Sequence, residues 1–166
     1  MSRIYYTNYD FHPLGKLILA SYEDELVYID INENGLANFA DRIGLDIKNE
    51  KASVQKAITQ LKEYFAGERK VFDLKLRFLA GTEFQQKVWK ELQNIPYGKT
   101  VSYKELAQRI YNPNACRAVG NANSKNLIPI VVPCHRVIHA NGGLGGFSCS
   151  LGVKKLLLEM EGIDKV

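Results

Sequence analysis

Cysteine is scarce in this chain of 166 residues: Cys116, Cys134 and Cys149 are its only three, and no two of them form a Cys-x-x-Cys pair. An odd number of widely spaced thiols argues against a disulfide framework and fits a reducing compartment. Histidine is equally rare, with only His12, His135 and His139. His135 and His139 have the spacing of two ligands on one helical turn, but residues 138–146 read as loop, so no metal site is expected. No apolar run approaches the ~18 residues that a membrane span needs, and Met1-Ser2-Arg3-Ile4-Tyr5-Tyr6 lacks the apolar centre of a signal peptide. These absences predict a cytoplasmic protein with no membrane partner. At 46% hydrophobic residues, the chain can still bury a proper core as one domain or as two small ones.

The net charge of +4 is unevenly spread. Residues 1–80 hold 11 Lys/Arg against 12 Asp/Glu, whereas residues 81–166 hold 11 against 6. A polyanion is therefore a reasonable partner for the second half. The first half reads as a small α/β unit. Arg3 to Tyr9, Lys16 to Tyr22 and Leu26 to Ile31 alternate as an antiparallel meander, and Val71 to Phe78 alternates as a further strand. Between them come two amphipathic helices, one capped by Asn34 with Leu36, Phe39, Ala40 and Ile43 inward, the other with Val54, Ile58, Leu61 and Phe65.

From residue 81 the style changes to short helices. Thr82 can cap a helix that buries Phe84, Val88, Leu92 and Trp89, and Ser102 with Glu105 forms a capping box for the next. Tyr111-Asn112-Pro113-Asn114 is a turn that no helix runs through. Beyond it a helix over 115–125 carries little bulk, with Val119 and Ala122 inward. Helix, tight turn and helix in a basic region is the pattern of a helix-turn-helix, and Lys99, Lys104, Arg109, Arg117 and Lys125 favour DNA over mere tight packing. Ser150 caps the last helix, with Val153, Leu156, Leu157 and Met160 inward. The Gly-rich stretch 141–147 reads as a hairpin, a wing or a pocket wall.

The segment 126–137 runs back into the core as turn, strand and reactive stretch, delivering Cys134 between Pro133 and His135-Arg136. A thiol with His and Arg as its next two neighbours has electropositive groups at hand to hold it as thiolate, which makes Cys134 a candidate nucleophile. Pro133-Cys134-His135-Arg136-Val137, together with Arg117-Ala118-Val119-Gly120, Asn126 and residues 153–162, resembles the O6-alkylguanine-DNA alkyltransferase family, also called methylated-DNA-protein-cysteine methyltransferases. The resemblance covers roughly residues 81–162. It implies an N-terminal ribonuclease-H-like α/β domain (residues 1–80, mainly antiparallel sheet) and a mainly helical, winged helix-turn-helix-like domain (81–166). It also implies single-turnover transfer of an alkyl group from O6-alkylguanine, secondarily O4-alkylthymine, in double-stranded DNA to Cys134, by a monomer without cofactor.

By the same resemblance His135 is the base, Glu161 orients it, and Tyr103 donates a hydrogen bond to the flipped base. Arg117 fills the gap in the stack, and Ala118, Ser124, Lys125 and Asn126 belong to the DNA-binding set, Asn126 also bracing the segment ahead of Cys134. Val137, Phe147, Ser148 and Cys149 line the pocket. On sequence alone Glu161 is an exposed helix-end charge. Cys149-Ser150 stands where many relatives carry Gly-Gly, and Phe147 where Tyr is frequent, so pocket width is the open quantity. A lesion sensor that flips bases without transfer and a Cys-His hydrolase are the alternatives.

Overall fold

Three stretches rich in β-branched and aromatic residues pair as their alternation predicts: β1 (Arg3–Phe11), β2 (Gly15–Tyr22) and β3 (Glu25–Asp30) form an antiparallel meander. The β2–β3 link is a two-residue turn with Glu23 and Asp24 both left-handed, φ 49° and 66°, the geometry whose twist matches that of the flanking strands. A short strand that the sequence reading missed, β4 (Asp46–Asn49), lies parallel to β1 on its other side, giving the order β3-β2-β1-β4. The computed structural model describes residues 3–31, 35–144 and 151–163, and the chain divides into two compact units, Met1–Ala80 and Gly81–Val166.

In the first unit, Leu17 to Ser21 of β2 are buried without a break, so the strand is covered on both faces and does not alternate as expected. α1 (Gly35–Ile43) buries Leu36, Phe39 and Ala40, and α2 (Gln55–Phe65) buries Ile58, Leu61 and Tyr64; Asn34 lies outside the described residues. Val71 to Phe78 is not a strand. It makes one bridge, Leu26 to Leu76, because Gln60 takes the backbone of Asp73 in both directions, at 2.8 and 3.0 Å, and holds the segment against α2 instead.

In the second unit, α3 (Glu83–Leu92) starts on a full capping box between Thr82 and Gln85. Gly81 is required ahead of it: φ is +103°, and a Cβ there would lie 2.5 Å from the Trp89 ring. β5 (Val101–Ser102) leads into α4 (Tyr103–Arg109), where Ser102 caps Glu105 N–H at 3.0 Å. The reciprocal half of that box is not made, because the Glu105 carboxylate accepts from Arg109 at 2.8 Å. A turn leads to α5 (Cys116–Ser124), the second helix of the helix-turn-helix. Its few buried groups are Val119, Ala122 and Asn123, and the Trp89 indole N–H, donating to Ala122 O at 2.8 Å, ties it to α3. β6 (Val137–Ile138) pairs with β5 in parallel, and α6 (Leu151–Met160) closes the unit. No described helix is long and apolar enough to cross a membrane.

Candidate active site

The loop that delivers Cys134 is fixed at both ends by one side chain. Asn126 donates to Val132 O at 2.8 Å and accepts from Ile128 N–H at 3.0 Å, while Val132 N–H closes on Ile128 O at 2.9 Å. Inside this ring Ile130 is left-handed, φ 76°, an outlier for a β-branched residue that persists only where the surroundings over-determine it. The expected strand is therefore absent. Pro133 (φ −82°, ψ 64°) then forms an inverse γ-turn, with Cys134 N–H on Val132 O at 2.8 Å. Cys134 to Arg136 is one turn of 3-10 helix rather than extended chain, and the Cys134 carbonyl accepts from Asn123 of α5 at 3.2 Å. The loop that carries Cys134 and the helix-turn-helix are thus joined at the Cys134 backbone. Cys134 itself is fully buried.

Behind it lies a buried ionic cluster. Glu161, just past α6, accepts from His135 Nε2 at 2.7 Å, from Arg136 Nε and Nη2 at 2.9 and 3.1 Å, and from Gly98 N–H at 3.0 Å. Arg136 also donates to Ile95 O at 2.7 Å, so its charge is matched and its fork is occupied. Burial alone would raise the Glu161 carboxyl, but the hydrogen bonds and charge of His135 and Arg136 overcome it and hold the group well below the usual carboxylate range. Burial, with the Arg136 and Lys154 charges, pushes His135 below its ordinary value despite Glu161. The imidazole is therefore neutral at pH 7. An ionised carboxylate can only accept, so His135 carries its proton on Nε2 and Nδ1 is the free base. Nδ1 is buried and has no hydrogen-bond partner among the described residues.

Two sequence expectations change here. Glu161, an exposed helix-end charge on its residues alone and the carboxylate that orients His135 by the resemblance, is buried and the hub of the cluster. Arg136, read as an electropositive neighbour of the thiol, is spent on Glu161. A buried cation to which the sequence reading gave no role, Lys154 of α6, lies where its charge and a negative charge on Cys134 favour each other. It is 0% exposed, donates to Val137 O at 2.6 Å and lies 5.8 Å from the Tyr103 ring centre. Burial lowers its pKa to about 8, against an opposing pull from Cys134. Of the residues expected inward on α6 only Leu157 is buried; it shares that face with Lys154 and Leu158, while Val153, Leu156 and Met160 are half-buried. The run Leu156-Leu157-Leu158 leaves the helix phase ambiguous, and the one usable signal was the i, i+7 spacing of Lys154 and Glu161.

The remaining candidates separate by exposure. Arg117 and Ala118 are exposed on α5, Lys125 is exposed at its C-terminal cap, and Ser124 is half-buried with its hydroxyl on Asn121 O. Tyr103 is buried beside His139 and against Gly120, where an added Cβ would meet its ring at 3.7 Å. Asn126, grouped above with the DNA-binding residues, is only 5% exposed and its amide is engaged by the loop, so its place is the brace alone. Val137 is buried with its carbonyl on Lys154. Phe147, Ser148, Cys149 and the expected cap Ser150 lie outside the described residues. With Arg136 and Lys154 buried, the exposed cations between residues 99 and 155 are Lys99, Lys104, Arg109, Arg117, Lys125 and Lys155.

Comparison with known proteins agrees with this geometry. The family model described as 6-O-methylguanine DNA methyltransferase, DNA binding domain, matches residues 83–163, and its ribonuclease-like domain matches residues 4–78. A methylated-DNA–protein-cysteine methyltransferase of Methanosarcina acetivorans is 44% identical, covering 96% of this chain and 99% of the relative. The constitutive enzyme of that name from Bacillus subtilis is 43% identical, with 96% of each covered. Among solved structures, the Mycobacterium tuberculosis protein in complex with DNA is similar with a TM-score of 0.83 at 43% identity, covering 95% of this chain and 92% of that one.

Proposed function

Because this chain belongs to the 6-O-methylguanine DNA methyltransferase family, it repairs DNA as a methylated-DNA–protein-cysteine methyltransferase, and we propose that Cys134 is its acceptor thiol. The observation that carries the assignment is the buried His135–Glu161–Arg136 cluster directly behind Cys134. With Nε2–H fixed on Glu161, His135 Nδ1 takes the thiol proton, through a bridging water where the distance requires it. A cation at Lys154 favours the resulting thiolate. The sulfur bonds to the alkyl carbon as the carbon–O6 bond breaks, and its electrons pass into the purine. A hydrogen bond from the Tyr103 hydroxyl offsets the charge that develops there. The thioether product has no leaving group for water to displace, so each chain acts once.

The preferred substrate is O6-alkylguanine in duplex DNA, with O4-alkylthymine secondary, met by a monomer that needs no cofactor. The reacting carbon lies inside the stack, so the base must be extruded to reach a buried thiol. Arg117, exposed in the first turn of α5, fills the gap that extrusion leaves, and the exposed lysines hold the phosphates. Arg117→Ala should slow repair of duplex DNA roughly ten- to hundredfold, since unstacking costs a few kcal/mol, yet leave reaction with the free modified base within about twofold. Single-turnover rates on both substrates test this reading. Equal slowing of the two would assign Arg117 to the chemical step and remove the flipping role.

A further inference from the structure

The turn joining α4 to α5 closes on a tyrosine where the backbone asks for glycine. Tyr111 N–H donates to Gln108 O and Asn112 N–H to Ala107 O, each at 3.0 Å, the paired bonds of a Schellman helix end whose left-handed position is usually glycine. Tyr111 occupies that position with φ 60°. Its side chain is 90% exposed, so packing does not offset the strain. A bulky residue held this way with its ring in solvent is the kind of outlier from which a function is inferred.

Beside the ring, between α3 and the end of α4, is a cleft of ≈ 240 Å³ lined by Lys87, Lys90, Glu91 and Arg109 among others. Arg109 is paired with Glu105 and, at 4.0 Å, with Glu91, which leaves the exposed Lys87 and Lys90 as the excess charge. An aromatic ring flanked by two lysines suits a sugar-phosphate backbone, the ring packing on a sugar or base face and the ammonium groups meeting phosphates. The turn also runs straight into α5, and in helix-turn-helix docking the helix ahead of the recognition helix crosses the backbone. We propose that Tyr111, Lys87 and Lys90 form a second DNA contact, gripping the duplex backbone beside the extruded base. The inference rests on the reading above that α5 docks on duplex DNA.

Tyr111→Gly separates this role from a structural one because the two predict opposite signs. Glycine suits the left-handed position, so the variant should melt roughly 2–4 °C higher. Its affinity for duplex DNA should nevertheless fall roughly fivefold, with the rate on the free modified base unchanged. Lys87→Ala combined with Lys90→Ala should lower the slope of log affinity against log salt by about 2. Duplex affinity that is unchanged in Tyr111→Gly, with an unchanged salt slope in the lysine pair, overturns the proposal while leaving the alkyltransferase reading intact. A wild-type chain that binds no duplex overturns both.

Discussion

Cys134→Ser should reduce alkyl transfer below detection while leaving affinity for duplex DNA within about twofold of wild type. A serine hydroxyl is close in size to the thiol, but it is a far weaker nucleophile toward an alkyl carbon and is not ionised by a neutral imidazole near pH 7. Burying a hydroxyl in place of a thiol costs about 1–3 kcal/mol if it finds no partner, which leaves the fold standing at assay temperature. The cations that face solvent on α5 and at its C-terminal cap, Arg117 and Lys125, are untouched. Transfer at the wild-type rate would move the acceptor to Cys116, exposed at the start of α5, or to Cys149. Loss of binding together with transfer would mean that the Cys134 turn sets the position of α5 through Asn123, and a melting curve on the same sample separates that from unfolding.

The second large effect is on stability. Glu161→Ala leaves the buried Arg136 guanidinium without its anion and strips the partner from His135 and Gly98. Breaking a buried pair in this way costs about 3–5 kcal/mol, out of the roughly 5–15 kcal/mol by which such a protein is stable. Melting should drop by roughly 6–20 °C, and transfer should fail in whatever remains folded. The same cluster dictates the response to acid. His135 is held neutral in the native state but binds a proton below ~6.5 when unfolded, so stability falls as pH drops through that value. Glu161 adds a second loss below ~4.3, where the unfolded carboxylate protonates and the native one does not. Lys154 acts at the other end: with a native pKa of about 8 against 10.5 unfolded, its burial opposes folding by about 3 kcal/mol at neutral pH, a cost relieved as pH rises from 8 to 10.5. Urea denaturation across pH measures all three. Glu161→Gln should abolish the step below ~4.3, and a wild-type stability that is flat from pH 8 to pH 3 would contradict the assignment of charges.

Much of this was legible in the residues themselves. The Thr82 and Ser102 caps, the break at Asn112-Pro113 and the thin inner face of Val119 and Ala122 follow from local rules that tertiary packing did not override. The resemblance carried by Pro133-Cys134-His135-Arg136-Val137 pointed to the family that the comparisons then showed. What failed had long-range causes. Val71 to Phe78 alternates like a strand, but Gln60, from α2, had already claimed its backbone. No local pattern announces that Asn123 would reach the Cys134 carbonyl or that Arg136 would turn from the thiol to Glu161. A buried lysine is rarer still, and hydropathy placed Lys154 on the outer face because three consecutive leucines fit either phase.

The central claim is that one alkyl group passes to one sulfur, that of Cys134. The direct test is mass spectrometry of the protein after incubation with excess duplex DNA carrying O6-methylguanine, followed by fragmentation of its peptides. A single added methyl group per chain is expected, on the peptide containing Cys134, with one guanine restored per protein molecule and no further turnover. An unmodified chain, a methyl group on Cys116 or Cys149, or more than one guanine restored per chain would contradict it.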